Sequence, residues 1–139
     1  MPKGIFHAVV LTDDFDATLR FLTDVCGIGP VQPYDPAPAS LSAALGWPAG
    51  TWTTTGAIVG RPPGMLDIVA IPPDLRATVK PGVALLAIAT PDVAGRAAAA
   101  REAGFDPAEP RDVEAADGGT MTMVPLAVGG VGYELVRFG

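Results

Sequence analysis

Apolar and polar positions alternate along this chain in two rhythms, one of period two and one of period near four. Residues 5–11 (IFHAVVL) form an apolar run rich in Val, Ile and Phe that stops at Thr12-Asp13-Asp14, which predicts a β-strand. A side-chain period of two puts His7 on one face with Ile5, Val9 and Leu11. Asp13 or Asp14 then caps a helix with Asp16 in its first turn; Phe15, Leu19, Leu22 and Cys26 recur along it and Gly27 ends it. Pro30 to Tyr34 predicts a short strand, broken by Asp35-Pro36-Ala37-Pro38. Ser40 caps a single helical turn over 41–45, closed by Gly46. The β-branched stretch Thr51 to Val59 (TWTTTGAIV) predicts a strand, Gly60 to Gly64 a turn without a helix behind it, and Met65 to Ile71 another strand, ended by Pro72-Pro73.

The second half repeats this order. Val83 to Ala89 is an apolar strand, Thr90-Pro91-Asp92 caps an alanine-rich helix over 93–103, and Gly104 ends it. Phe105 to Pro107 begins a weak strand region, and 118–126 and 129–138 read as two last strands. The pattern is strand, helix, three strands, twice over. A shift of 78 residues lays His7-Ala8-Val9-Val10-Leu11-Thr12-Asp13-Asp14-Phe15 on Leu85-Leu86-Ala87-Ile88-Ala89-Thr90-Pro91-Asp92-Val93, so that the Thr-x-Asp helix entries coincide. At a shift of 67, Leu66-Asp67-Ile68-Val69 lies on Tyr133-Glu134-Leu135-Val136. His7 thus becomes equivalent to Leu85, and Asp67 to Glu134. The first half is the longer, with its surplus in 35–48.

Composition narrows the classes of function. A chain of 139 residues with 49% hydrophobic and 17% charged side chains suits one domain over 1–139, built from half-modules over about 1–75 and 81–139. No apolar run is long enough for a bilayer and the N-terminus lacks a signal pattern, so the expected location is cytoplasmic. A net charge of −6 speaks against nucleic acid or an anionic membrane as partner. The single cysteine, Cys26, excludes an internal disulfide and a cysteine-rich zinc site, and its place at a helix end predicts a packed thiol.

The paired βαβββ order, the opening HAVVLTDDFDATLRFL, its counterpart LLAIATPDVAGRAAAAREAGF and the closing GYELV together resemble the vicinal oxygen chelate superfamily, which contains glyoxalase I, bleomycin-resistance proteins, epimerases and extradiol dioxygenases. The resemblance implies an α+β fold: two βαβββ modules curling eight mixed strands around a cup, commonly as a homodimer. It implies metal ligands on the first and last strand of each module, which here are His7, Asp67, Leu85 and Glu134. Leu85 cannot coordinate, and Asp67 is shorter than the usual glutamate or glutamine. What remains is one imidazole and two carboxylates, a set open to Mg²⁺ or Mn²⁺ with several waters.

Each candidate residue keeps two readings. His7, the one histidine, is either a ligand or hydrogen-bonded to a carboxylate, for which Glu134 is the natural partner; that pair is also a possible general acid/base. Asp67 faces the cup or, with the register off by one, the solvent. Trp47 and Trp52, with Tyr34, form either an aromatic lid over a flat ligand or part of the core. Leu85, Met121 and Met123 line an adaptable apolar interior. Arg61 and Arg137 each meet an anionic ligand or a surface carboxylate. Two functions follow. The first is a metal-independent protein that binds and sequesters an apolar or aromatic small molecule such as an antibiotic, without cofactor and resembling the bleomycin-resistance branch. The second is a divalent-metal-dependent lyase, isomerase or epimerase of the glyoxalase I or methylmalonyl-CoA epimerase type, with His7, Asp67 and Glu134 as ligands.

Overall fold

The computed structural model describes residues 5–139. Its strands are β1 (His7–Thr12), β2 (Val31–Tyr34), β3 (Gly56–Val59), β4 (Met65–Ala70), β5 (Gly82–Ala89), β6 (Arg111–Glu114), β7 (Thr120–Val128) and β8 (Val131–Phe138). They join in one curled mixed sheet in the order β2-β3-β4-β1-β5-β8-β7-β6. Each module closes on itself by a parallel pairing, β1 with β4 and β5 with β8, and the modules meet through antiparallel β1 and β5. The register carries the internal repeat. His7 pairs with Ala87 and Val9 with Leu85, while Val9 pairs with Asp67 and Ala87 with Glu134, so each pairing maps onto its counterpart under the shifts of 78 and 67.

The helices divide between the two faces of the sheet. On the convex side α3 (Val93–Glu102) buries Val93 and Ala97 against Val124 and Leu135. Its N-cap, Asp92, accepts from the Gly95 amide at 2.9 Å, and Asp14 caps α1 (Phe15–Arg20) in the same way through Ala17. The surplus segment goes to the other side. There α2 (Pro38–Leu45) starts with proline in its first turn and ends on left-handed Gly46. It crosses the cup, with Leu41 in one apolar cluster with Val9, Leu11 and Leu85 and with Ser40 bonded to the Glu114 carbonyl of β6.

Four local expectations are corrected. The strand expected over 51–59 keeps only Gly56–Val59, because Trp52 turns into the core and donates from Nε1 to the Pro48 carbonyl at 2.8 Å. No strand starts at Phe105; its amide closes α3 on the Ala100 carbonyl at 2.9 Å, and the strand comes later as β6. The single turn expected at 41–45 is an eight-residue helix. Cys26 is exposed instead of packed. The chain widens into a π-helix over Phe21–Val25, with the Cys26 amide on the Phe21 carbonyl, and the extra residue per turn rotates Val25 and Cys26 into solvent.

Candidate functional site

Two rows of side chains cross the floor of the cup. One runs Asp67, Val9, Leu85 and the other His7, Ala87, Glu134, related by the internal two-fold. In the second row the small Ala87 lies between two long polar residues, and over it His7 Nε2 comes within 3.8 Å of Glu134 Oε1. That is too long for a hydrogen bond. His7 is 7% and Glu134 3% exposed, and His7 Nδ1 and Glu134 Oε2 have no hydrogen-bond partner among the described residues. Burial pushes the imidazole down to about 4, so it is neutral near pH 7. Burial, reinforced by the Asp67 charge, pushes the Glu134 carboxyl up to about 7. The two are thus a close neutral imidazole and half-protonated acid, not an ion pair, and the expected His7–Glu134 hydrogen bond is replaced by a gap.

In the first row Leu85 stands where the two-fold would put an imidazole, and Asp67 draws its donor from elsewhere. The Tyr34 hydroxyl donates to Asp67 Oδ1 at 2.6 Å. Asp67 therefore faces the cup. Burial pushes its carboxyl up to about 6, with the Tyr34 bond holding it lower than burial alone would. Burial and the Asp67 charge keep the Tyr34 phenol protonated far above its ordinary range. This contact depends on Gly56, the β3 residue paired with Tyr34. A Cβ there would lie 2.7 Å from Tyr34 Cε1, 2.9 Å from Cζ and 3.0 Å from Pro36 Cγ. Glycine lets the ring lie flat across β3 and reach β4.

These groups open on a cavity of about 510 Å³ between the sheet and α2. His7, Tyr34, Asp67, Leu85, Met121 and Glu134 line it. Three expected residues lie elsewhere. Met123 shares the concave face but is sealed under α2, packed with Ala87, Val136, Ala43 and Ala44. Trp47 and Trp52 do not cover the cavity: they meet edge-to-face at 5.5 Å in the core cluster with Leu11, Val69 and Ile71, 5% and 7% exposed. Their hydrophobic area is spent anchoring α2, and α2 itself forms the wall through Ser40, Leu41 and Ala44. Trp47 borders a second, more open cavity of about 670 Å³ beyond Leu85 and Leu45. The sequence reading missed Gly56 and the α2 wall, as well as Ile58 and Met65, which share the concave face by strand alternation. Arg61 stands at the cavity mouth, and Arg137 lies within 3.5 Å of Thr122 Oγ1 on the surface.

The family model for the Glyoxalase/Bleomycin resistance protein/Dioxygenase superfamily matches residues 4–127. The chain belongs to that superfamily. No curated protein sequence matches it significantly. Among solved superfamily-like structures it is similar to methylmalonyl-CoA epimerase from Mycobacterium tuberculosis, at 17% identity and TM-score 0.69, covering 98% of this chain and 88% of that one. A Streptomyces coelicolor methylmalonyl-CoA epimerase variant in complex with 2-nitronate-propionyl-CoA gives 20% identity and TM-score 0.67, covering 99% and 98%. A mutant 4-hydroxymandelate synthase from Streptomyces coelicolor gives 13% identity and TM-score 0.70, covering 99% of this chain and 49% of that one. At these identities the likeness establishes the glyoxalase-like fold.

A divalent metal, which the superfamily implies, does not fit the donors that this chain presents. The 3.8 Å gap between His7 and Glu134 offers two donors, but the symmetric positions are Leu85, which has none, and Asp67, engaged by Tyr34. Among the described residues no group of three His, Cys, Asp or Glu side chains could hold an ion. Among them, too, no helix is long and apolar enough to cross a membrane.

Proposed function

We propose that this chain is a small-molecule enzyme of the isomerase, epimerase or lyase kind, which moves a proton on an apolar substrate held between the sheet and α2. Its superfamily membership and the epimerases among its structural neighbours support an enzyme over a sequestering protein. The observation that carries the reading is Glu134: a carboxyl buried in an apolar cavity, one oxygen unpartnered, with its pKa near 7, beside a neutral imidazole. An unpaired buried acid is costly to the fold, and a pKa matched to the working pH is what a general base requires.

In this scheme the ionised Glu134 takes a proton from carbon next to a substrate carbonyl. The C–H electron pair passes into the carbon–carbon bond, and the carbonyl oxygen takes the charge. A ring N–H of neutral His7 donates to that oxygen, and Glu134 returns the proton to the same or a neighbouring carbon. Leu85, Ile58 and Met121 exclude water and strengthen both interactions. The proposal includes a homodimer, as the superfamily resemblance implies, and the cytoplasmic location expected from the sequence. The apolar floor and Leu85 also suit simple binding of an aromatic compound, which is the second reading.

Hydrogen exchange separates the two. With 2-tetralone as an enolisable probe in deuterated buffer, exchange at the α-carbon is expected to be accelerated by the protein, to rise with pH through about 7 and to vanish in Glu134→Gln. Binding of 2-tetralone with no acceleration over buffer would leave the sequestering reading.

A further inference from the structure

The charges around the cavity are one-sided, and proton transfer on a neutral substrate leaves that unexplained. Asp67 and Glu134 lie inside, and Asp35, Glu114 and Asp117 are exposed at the mouth; Arg61 is the one arginine or lysine among the described lining residues. Acids at a mouth alone would be an ordinary solvated rim. The two inside differ: among the described residues, Glu134, 3% exposed, has an oxygen without a partner, and Asp67 has one oxygen bonded to a neutral phenol and faces no cation. A buried carboxylate is stable when something positive reaches it, and His7, neutral at pH 7, does not serve.

We propose that the substrate carries an ammonium group on its apolar body, that Asp67, oriented by Tyr34, receives that group, and that Glu134 is thereby left to act as the base. This rests on the enzymatic reading of the same site and names its substrate class. The acids at the mouth draw a cation inward along a low-dielectric passage. They repel a polyanionic tail, so a CoA ester such as the one held by the Streptomyces coelicolor epimerase variant does not suit this cavity. The ammonium also changes the chemistry. Burial is the larger cause of the high Glu134 pKa and Asp67's charge the smaller, so a cation on Asp67 removes the smaller and shifts Glu134 toward carboxylate. Tyr34 is a positioning residue: Gly56 leaves room for its ring, and its hydroxyl fixes Asp67 Oδ1.

The ionisable groups that face the ligand come from every wall: His7 on β1, Tyr34 on β2, Asp67 on β4, Glu134 on β8, with Asp35, Arg61, Glu114 and Asp117 at the mouth. Between pH 5 and 8 the imidazole stays neutral and the phenol protonated. The inner carboxyls are the groups expected to change.

The test is calorimetric binding of three compounds with one skeleton: 2-aminotetralin, 2-tetralol and tetralin-2-carboxylate. At pH 8 the amine is expected to bind about tenfold to a hundredfold tighter than the alcohol, the range of one charge-assisted bond. The carboxylate should be weakest, and amine affinity should fall from pH 8 to 5 while that of the alcohol stays level. Asp67→Asn should bring the amine to the level of the alcohol, with urea unfolding followed by Trp47 and Trp52 fluorescence reporting that the variant is folded; Tyr34→Phe should weaken the amine part-way. Equal affinity for amine and alcohol, tighter carboxylate, or no binding of any of the three overturns the proposal. The 2-tetralone exchange decides separately: exchange without amine preference removes only the ammonium, and amine preference without exchange removes only the enzymatic reading.

Discussion

Replacing Glu134 with glutamine should change how the stability of the fold depends on pH. Burial raises this carboxyl from its ordinary 4.5 to about 7. Below pH 4.5 folded and unfolded chains both hold the proton, and the group adds no pH dependence. Between pH 4.5 and 7 the unfolded chain ionises and the folded chain does not, so stability falls as pH rises; above 7 the full cost is present. At about 1.4 kcal/mol per pH unit, that cost is about 3 kcal/mol, part of it shared with Asp67 through their mutual repulsion. His7 works the other way. Its folded pKa of about 4, against an ordinary 6.5, costs stability as pH falls through that window, so between 4.5 and 6.5 the two slopes oppose and largely cancel in the wild type. Asp67, raised from 3.8 to about 6, adds a slope of the same sign as Glu134.

Glu134→Gln removes one of these three slopes. Relative to wild type it should gain about 3 kcal/mol on going from pH 4.5 to pH 8. A pH-independent loss for the buried amide, about 1–3 kcal/mol, shifts both ends equally and drops out of the comparison. Urea unfolding followed by the fluorescence of Trp47 and Trp52, both in the core, gives the free energies directly. A wild type and variant whose difference stays within about 0.5 kcal/mol across that range would refute the reasoning, because Glu134 would then titrate alike folded and unfolded.

Two further outcomes test the site's architecture. Gly56→Ala should push the Tyr34 ring off Asp67, cost about 1–3 kcal/mol by overpacking, and raise the Asp67 pKa above about 6; a carboxyl-carbon NMR titration of Asp67 at its wild-type value would contradict it. Trp52→Ala should cost about 3–5 kcal/mol of stability, read by urea unfolding, yet leave 2-tetralone affinity within about twofold, because the indole supports α2 from behind without touching the cavity. A large loss of 2-tetralone binding at unchanged stability would put the ring back over the ligand.

Much of this was legible in the letters, and the misses have physical causes. The repeat could be read because its two halves carry the same Thr-x-Asp helix caps and the same period-two strands, and cross-strand register follows from that alternation. The pairing of His7 with Glu134 was suggested by those equivalences, whereas the face of Asp67 stayed open between cup and solvent, and the Tyr34 bond is what places it inside. The tryptophans stayed open between lid and core because an indole beside an inserted segment has the same local pattern whether it faces a ligand or anchors the segment. Cys26 was misplaced because one π turn shifts every later residue around the helix, a change that periodicity does not announce. Gly56 was overlooked because a glycine in a strand marks a close approach without saying of what.

Sequence alone therefore determined the superfamily, the paired modules, and the row of residues from which a site had to be chosen, since these depend on local propensity and on a repeat of period 78. Tertiary structure decided how those residues behave. Whether a carboxyl titrates near 4 or near 7 depends on what lies within a few ångströms of it, and those neighbours come from distant strands: Tyr34 from the far edge of the sheet, Ala87 from the second module, α2 from the inserted segment. Burial and Coulomb interaction act through space, and only the folded chain sets those distances.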